Sequence, residues 1–315
     1  MLFISSLLLD FSGQRRVIPG FGVYAGAGSA GVSGADAFAR STGRPVTHVL
    51  DFAPADDWQG ITAPPWLIDA HANQQARLEY SLPMFPDGAG NSLAHCAAGD
   101  YDGHWRTLAE NLVTAGLSGT IVRPGWEFNG AWYSWSAAGH PRDYAQCFRS
   151  IVTTMRSVRG QRFGFDWNPT LGRHAMAAEL AYPGDPYVSY IGVDAYDTAD
   201  VYRHRHGRAA AARAWKQISK GDHGLAFWSR FAADHGKPLV IPEWGVTAGA
   251  DGEGGGDDPA YIDHMFAFMT DPANHVAYEQ YFDASSGFAD HRIDGDTRFP
   301  RSRTAFDHWM GDLTR

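Results

Sequence analysis

Residues 120–136 read TIVRPGWEFNGAWYSWS. An apolar run of strand type stops at Pro124, and a carboxylate, an amide and four large aromatics follow at once: Glu127, Asn129, Trp126, Trp132, Tyr133 and Trp135. Every buried indole needs a partner for its N–H, so stability alone is a poor reason to crowd such rings around a lone acid. A carbohydrate site gives the residues a use. Aromatic faces stack on sugar rings, an amide reads hydroxyls, and an acid in a partly apolar pocket keeps its proton near neutral pH. The pattern returns in residues 237–246, KPLVIPEWGV, where Glu243 ends a short apolar run beside Trp244 and Gly245.

Strand-type runs also occupy residues 17–25, 45–53, 76–85, 162–167, 187–196 and 276–282, which with those ending at Glu127 and Glu243 make eight. Helical spacing or helix-start signals mark 34–40, 104–115, 141–156, 225–235, 260–269 and 303–313, with Pro141 in a first turn. Strands alternating with helices imply a parallel sheet, and eight of them imply a closed (β/α)8 TIM barrel. The expected organisation is one catalytic domain over 1–315, with 1–15 as an N-terminal extension. No internal repeat or long linker argues for a division.

A hydrophobic fraction of 44% with 19% charged residues describes a folded chain and excludes general disorder. A net charge of −9 without a basic run disfavours nucleic acid or an anionic membrane surface as partner. The expected partner is a polysaccharide or oligosaccharide, and the expected state is a monomer. Cys96 and Cys147 allow one bridge or none. The opening MLFISSLLLD lacks a basic n-region and a cleavage site, so no signal peptide is evident. Secretion is the expected localisation all the same, with the cytoplasm as the alternative.

Catalytic groups of such barrels sit at the C-terminal ends of strands, where the loops build a common mouth. Glu127 and Glu243 then face one site from different sides, and two carboxyls about 5 Å apart serve a retaining glycosidase. Strand alternation puts Arg123 on the parity of Glu127, pointing inward below it, where its guanidinium would support Glu243 and leave Glu127 with the raised pKa.

The string RPGWEFNGAWYSW, residues 123–135, resembles the acid/base segment of glycoside hydrolase family 26, and PLVIPEWG, residues 238–245, resembles its nucleophile segment. The resemblance implies Glu127 as acid/base and Glu243 as nucleophile. It implies Asn129, Trp132 and Trp135 as residues shaping the site, and Tyr196 as the tyrosine that hydrogen-bonds the nucleophile. Trp126 stands where the family usually has His, a departure that bears on the sugar recognised more than on the reaction. Trp126, Trp167, Asn168, Asp197, Trp244 and Tyr281 complete the expected substrate contacts. Trp58 and Trp66 read as packing residues.

The reading is therefore a retaining glycoside hydrolase, endo-acting on a β-linked polysaccharide such as β-mannan, with no cofactor and no metal. Alternatives are the same mechanism on a β-glucan or a bacterial exopolysaccharide, and a carbohydrate-binding barrel without catalysis. A third is an NAD-dependent oxidoreductase, because GAGSAG at 26–31 follows a strand and Asp51 lies about 20 residues on, as in a dinucleotide fingerprint. Gly34 and a short helix count against that reading. Arg203, His204, Arg205 and His206 read as a solvated loop, and 251–258, DGEGGGDD, as a mobile loop without the EF-hand order.

Overall fold

The computed structural model describes residues 7–9, 15–17, 19–250 and 252–313. Eight parallel strands close on themselves: β1 (Gly20–Tyr24), β2 (His48–Phe52), β3 (Arg77–Leu82), β4 (Ile121–Pro124), β5 (Gly164–Trp167), β6 (Tyr190–Gly192, resumed at Ala195–Tyr196), β7 (Leu239–Gly245) and β8 (Val276–Phe282). Each pairs with its successor, and β8 returns to β1 with Tyr278 opposite Gly20 and Phe282 opposite Tyr24. Closure removes the sheet edges that would otherwise need covering. The expected (β/α)8 barrel is the fold.

Side chains of strands that are not neighbours meet across the barrel interior. Gln280 on β8 bonds Glu79 on β3, Arg123 on β4 pairs with Glu243 on β7, and Tyr190 on β6 packs edge-on against Tyr278 on β8. The opposite faces of the strands carry Phe21, Val23, Leu78, Phe165, Ile241 and Trp244 into one large apolar core shared with the surrounding helices.

Two differences from the sequence reading matter for the site. The fourth strand ends at Pro124, and Glu127 lies beyond it in a turn with φ of 52°. Strand parity therefore does not carry from Arg123 to Glu127. Gly125, also left-handed at φ of 56°, leaves room for Met84, whose sulfur would lie 2.8 Å from an added Cβ. The first helix spans Gly28–Thr42, not 34–40, and runs through Gly31 and Gly34. Its length removes the argument made against a dinucleotide site, but the barrel and the helix N-terminus decide the matter. Asp51 Oδ2 accepts the Gly28 N–H at 2.7 Å, so a carboxylate sits where a phosphate would have to bind.

The helix Arg208–Lys220 was not expected; its buried stripe is Ala210, Ala214 and Ile218, whose small side chains give little hydrophobic contrast. Val17 pairs antiparallel with Leu7 instead of opening the first strand; of the expected extension, residues 1–6 and 10–14 lie outside the described residues, as do 18, 251 and 314–315. Cys96 and Cys147 are joined, tying the helix Leu93–Ala98 to Pro141–Arg156.

Candidate active site

Glu127 is held by its backbone. Its N–H donates to Asn168 O at 2.7 Å, and its own carbonyl accepts from Gly130 N at 2.9 Å. A non-glycine residue at positive φ is strained, and such strain persists where the surroundings over-determine it. Trp132 folds back over Gly130, where an added Cβ would lie 2.4 Å from the indole, and donates its N–H to Glu127 Oε2 at 2.9 Å. Burial and the nearby Glu243 push the Glu127 carboxyl up to about 7, against the opposing pull of the Trp132 N–H and Arg123.

Glu243 is gripped from two sides. Arg123, fully buried, donates to its Oε1, and Tyr196 donates its hydroxyl to Oε2 at 2.6 Å. Burial by itself would lower the Arg123 pKa, but Asp194, Glu243 and Glu79 outweigh it and hold the guanidinium charged. Asp194 Oδ2 lies 3.6 Å from the same nitrogen. Burial pushes the Asp194 carboxyl well up despite Arg123, with Glu243 and Glu127 adding to the rise. Of the two carboxyls beside the guanidinium, Glu243 takes its hydrogen bond and Asp194 lies farther off.

A cleft of about 800 Å³ opens beside Glu127, and Trp132, His174, Tyr196, His291 and Phe288 are among the residues that line it. His291 Nδ1 is 3.0 Å from Val246 O. A carbonyl can only accept, so Nδ1 carries the proton and Nε2 keeps a lone pair. Burial lowers the pKa of the ring, which keeps it neutral. Asp194 and His291 were missed in the sequence: neither lies in the two motifs, and Asp194, though it follows the run YIGV, falls inside what reads as one continuous strand.

The expected substrate contacts divide. Trp132 is 51% exposed and free to meet a ligand. Tyr196 is partly exposed at the cleft. Trp126 is nearly buried, between Phe52, Tyr133 and Trp135. The others are corrected. Trp135 is buried and donates its N–H to Trp126 O at 2.9 Å, so it supports the floor rather than a sugar. Trp167 and Trp244 are fully buried on the helix side of their strands, against Trp228 and Phe266 respectively. Tyr281 is fully buried and donates to His291 O at 2.9 Å. Asn129 spends its amide on Thr170 N, Thr170 O and Gly172 O, clamping the loop after β4 to the loop after β5. Asn168 is buried and bonds Pro169 O, and Asp197 is buried against Tyr202. Of the two tryptophans read as packing, Trp58 stacks on His104 at 3.9 Å, whereas Trp66 is 45% exposed. Among the described residues no group of three or more His, Cys, Asp or Glu could hold a metal ion, and no helix is long and apolar enough to cross a membrane.

Residues 106–216 match the model of glycosyl hydrolase family 26, a segment that contains Glu127 and ends before Glu243. A mannan endo-1,4-beta-mannosidase of Bifidobacterium adolescentis is 27% identical over 129 residues, covering 40% of this chain and 12% of that protein. The chain thus corresponds to only a small part of that curated relative. Among solved structures, a double mutant of the Cellulomonas fimi endo-beta-1,4-mannanase superposes with a TM-score of 0.62 at 21% identity, over 87% of this chain and 65% of that one. GH26C from Muricauda sp. superposes with 0.64 at 16% identity, over 94% and 85%. At these identities the structural likeness speaks for the barrel, while the family match covers the segment carrying Glu127. In fold and in that segment, the chain resembles glycoside hydrolase family 26.

Proposed function

We propose that this protein is a retaining, endo-acting glycoside hydrolase that cleaves a β-linked polysaccharide of mannan type, with Glu243 as nucleophile and Glu127 as acid/base. The observation that carries the reading is the asymmetry of the two carboxyls. Glu243 accepts from Arg123 and Tyr196, which hold and aim its two oxygens. Glu127 is pushed up to about 7 by burial and by Glu243, so a large share of it is still protonated near neutral pH. Glu243 attacks the anomeric carbon as Glu127 protonates the departing glycosidic oxygen. The glycosyl–enzyme ester is then opened by water, whose proton Glu127 takes back. Once Glu243 is esterified its charge is gone and Glu127 becomes easier to ionise, which suits its second role as base.

No organic cofactor or metal enters these steps. The family 26 resemblance and the mannanase names of the relatives favour β-mannan as substrate, while Trp126 at the place of the family's His leaves a β-glucan or an exopolysaccharide as the competing substrate. The Cys96–Cys147 bridge supports an oxidising, extracellular setting. The reading treats the chain as one catalytic domain acting as a monomer. The test is a panel of β-linked polysaccharides with product sizes read by mass spectrometry and product anomers by NMR. Released oligosaccharides of retained configuration are expected; inverted products would remove the double displacement, and an inert panel would remove the activity.

A further inference from the structure

Three strand ends close an aromatic wall beside Glu243. Tyr24 ends β1, Phe52 ends β2 and Phe282 ends β8, and all three are partly exposed. Tyr24 stacks on Phe282 at 4.7 Å and meets Phe52 edge-on at 5.1 Å. Phe52 continues to Trp126 at 5.4 Å, and Phe282 to Tyr196 at 5.9 Å. The wall therefore runs from the residue preceding Glu127 to the residue that holds Glu243. The guanidinium of Arg123 lies beneath it, 5.6 Å from the Phe52 ring and 5.5 Å from Trp126.

The polar side chains that these strand ends could have offered to a sugar are already used. Asp51 is fully buried and accepts from Gly28 N, Phe52 N and His71. Asp283 Oδ1 accepts from Ile293 N at 2.6 Å and Asp294 N at 3.0 Å. The Trp126 N–H goes to Tyr133 Oη at 3.1 Å. Of the three rings at these strand ends only Tyr24 carries a polar group, its hydroxyl. A sugar hydroxyl desolvated against carbon loses its water without replacement, whereas a methyl group gains by leaving water.

We propose that this wall selects a sugar carrying a methyl group where an ordinary hexose presents a hydroxyl. The inference rests on the glycosidase reading for the placement of the sugar beside Glu243. Two sources supply that methyl: C6 of a 6-deoxy sugar, or an O-acetyl ester. The experiment separates them with matched pairs. One pair is the aryl β-glycosides of mannose and of 6-deoxymannose; the other is O-acetylated mannan and the same mannan after alkaline deacetylation.

Dissociation constants are measured on the Glu243→Gln protein, which lacks the nucleophile and binds without turnover, and kcat/KM on the wild type. A methyl in a fitted apolar site discriminates by about 10- to 200-fold. The methyl-bearing member of at least one pair should therefore bind at least about 10-fold tighter. That preference should fall to near unity when Phe52→Asn is added. Phe282→Asn provides a second variant should the first fail to fold, with Tm recorded for both. Equal binding within both pairs, tighter binding of the plain members, no binding of any, or a preference that survives the wall substitutions overturns the proposal. Failure to hydrolyse with the binding preference intact would instead remove the catalytic reading and leave the wall standing.

Discussion

The indole of Trp132 donates to Glu127 Oε2 at 2.9 Å while half of the residue stays exposed to solvent. One residue thus tunes the acid and offers a platform to a ligand. The bond favours the ionised carboxyl, and it acts against burial and Glu243, which raise the pKa. Trp132→Phe keeps a ring and removes the donor, so the Glu127 pKa should rise further. Because the first step needs the protonated acid, the alkaline limb of kcat/KM should move from near pH 7 to higher pH. A limb that stays in place or moves down would show that another group titrates there.

The same raised pKa has a sign for stability. Glu127 holds its proton up to about pH 7 in the folded chain, while an unfolded glutamate releases it near pH 4.5. Its contribution is fully present below the unfolded pKa and is lost as pH rises through the folded one. Glu127→Gln removes that penalty. The variant should gain Tm relative to wild type as pH rises from 4.5 to about 7, keep the full gain above that, and show almost none at pH 4, as read by calorimetric scans across that range.

Separate chemistry is expected of the two carboxylates. Glu243→Ala should abolish turnover of every substrate. Glu127→Ala should nearly abolish polysaccharide cleavage yet release a dinitrophenyl leaving group in a fast first step, then stall without a base. Azide should rescue the Glu127 variant with a β-glycosyl azide of retained configuration and the Glu243 variant with the inverted azide. Exchanged configurations, read by NMR, would reverse the two roles.

Trp132 and Trp135 lie three residues apart and should respond in opposite ways. Trp132→Ala should weaken polysaccharide binding by about 1–3 kcal/mol, judged by base–aromatic stacking, with little change in Tm. Trp135→Ala opens a hole beneath Trp126 and should cost about 3–5 kcal/mol of stability. Calorimetric titration beside thermal melts distinguishes the two, and a Trp135 variant that melts normally would contradict its supporting role.

The Cys96–Cys147 bridge closes a separation of 51 residues. Chain-entropy reasoning assigns such a crosslink about 4 kcal/mol, with engineered and native cases spread over roughly 0–5. Cys96→Ala with Cys147→Ala should lower Tm clearly while leaving kcat unchanged at room temperature, since the bridge joins helices outside the cleft. Free thiols titrated in the unreduced, unfolded wild-type protein would instead show that the bridge does not form.

Much of the barrel is legible in the sequence, because strands and helices announce themselves through local period and local breakers. The strand 276–282 was placed to the residue, its ends set by turn-forming neighbours. The sixth strand was read as continuous over 187–196, yet it breaks at residues 193–194, and Asp194 turns toward Arg123 at that break. Nothing local marks such an interruption, since it answers to a guanidinium two strands away.

Chain order alone put Glu127 and Glu243 at one mouth, because a parallel barrel sends the ends of all its strands, and the turns that follow them, to the same side. Which ring beside them is free was decided by the closed barrel. Trp132 and Trp135 share a loop and a composition, but Trp135 finds the carbonyl of Trp126 and is buried, while Trp132 finds a carboxylate and stays open. Trp167 and Trp244 end their strands on the side facing the helices, because the twist and register of the whole sheet set which side of a strand end faces the mouth. Local sequence determines that a strand ends; partners far away in the chain decide where its last side chains point.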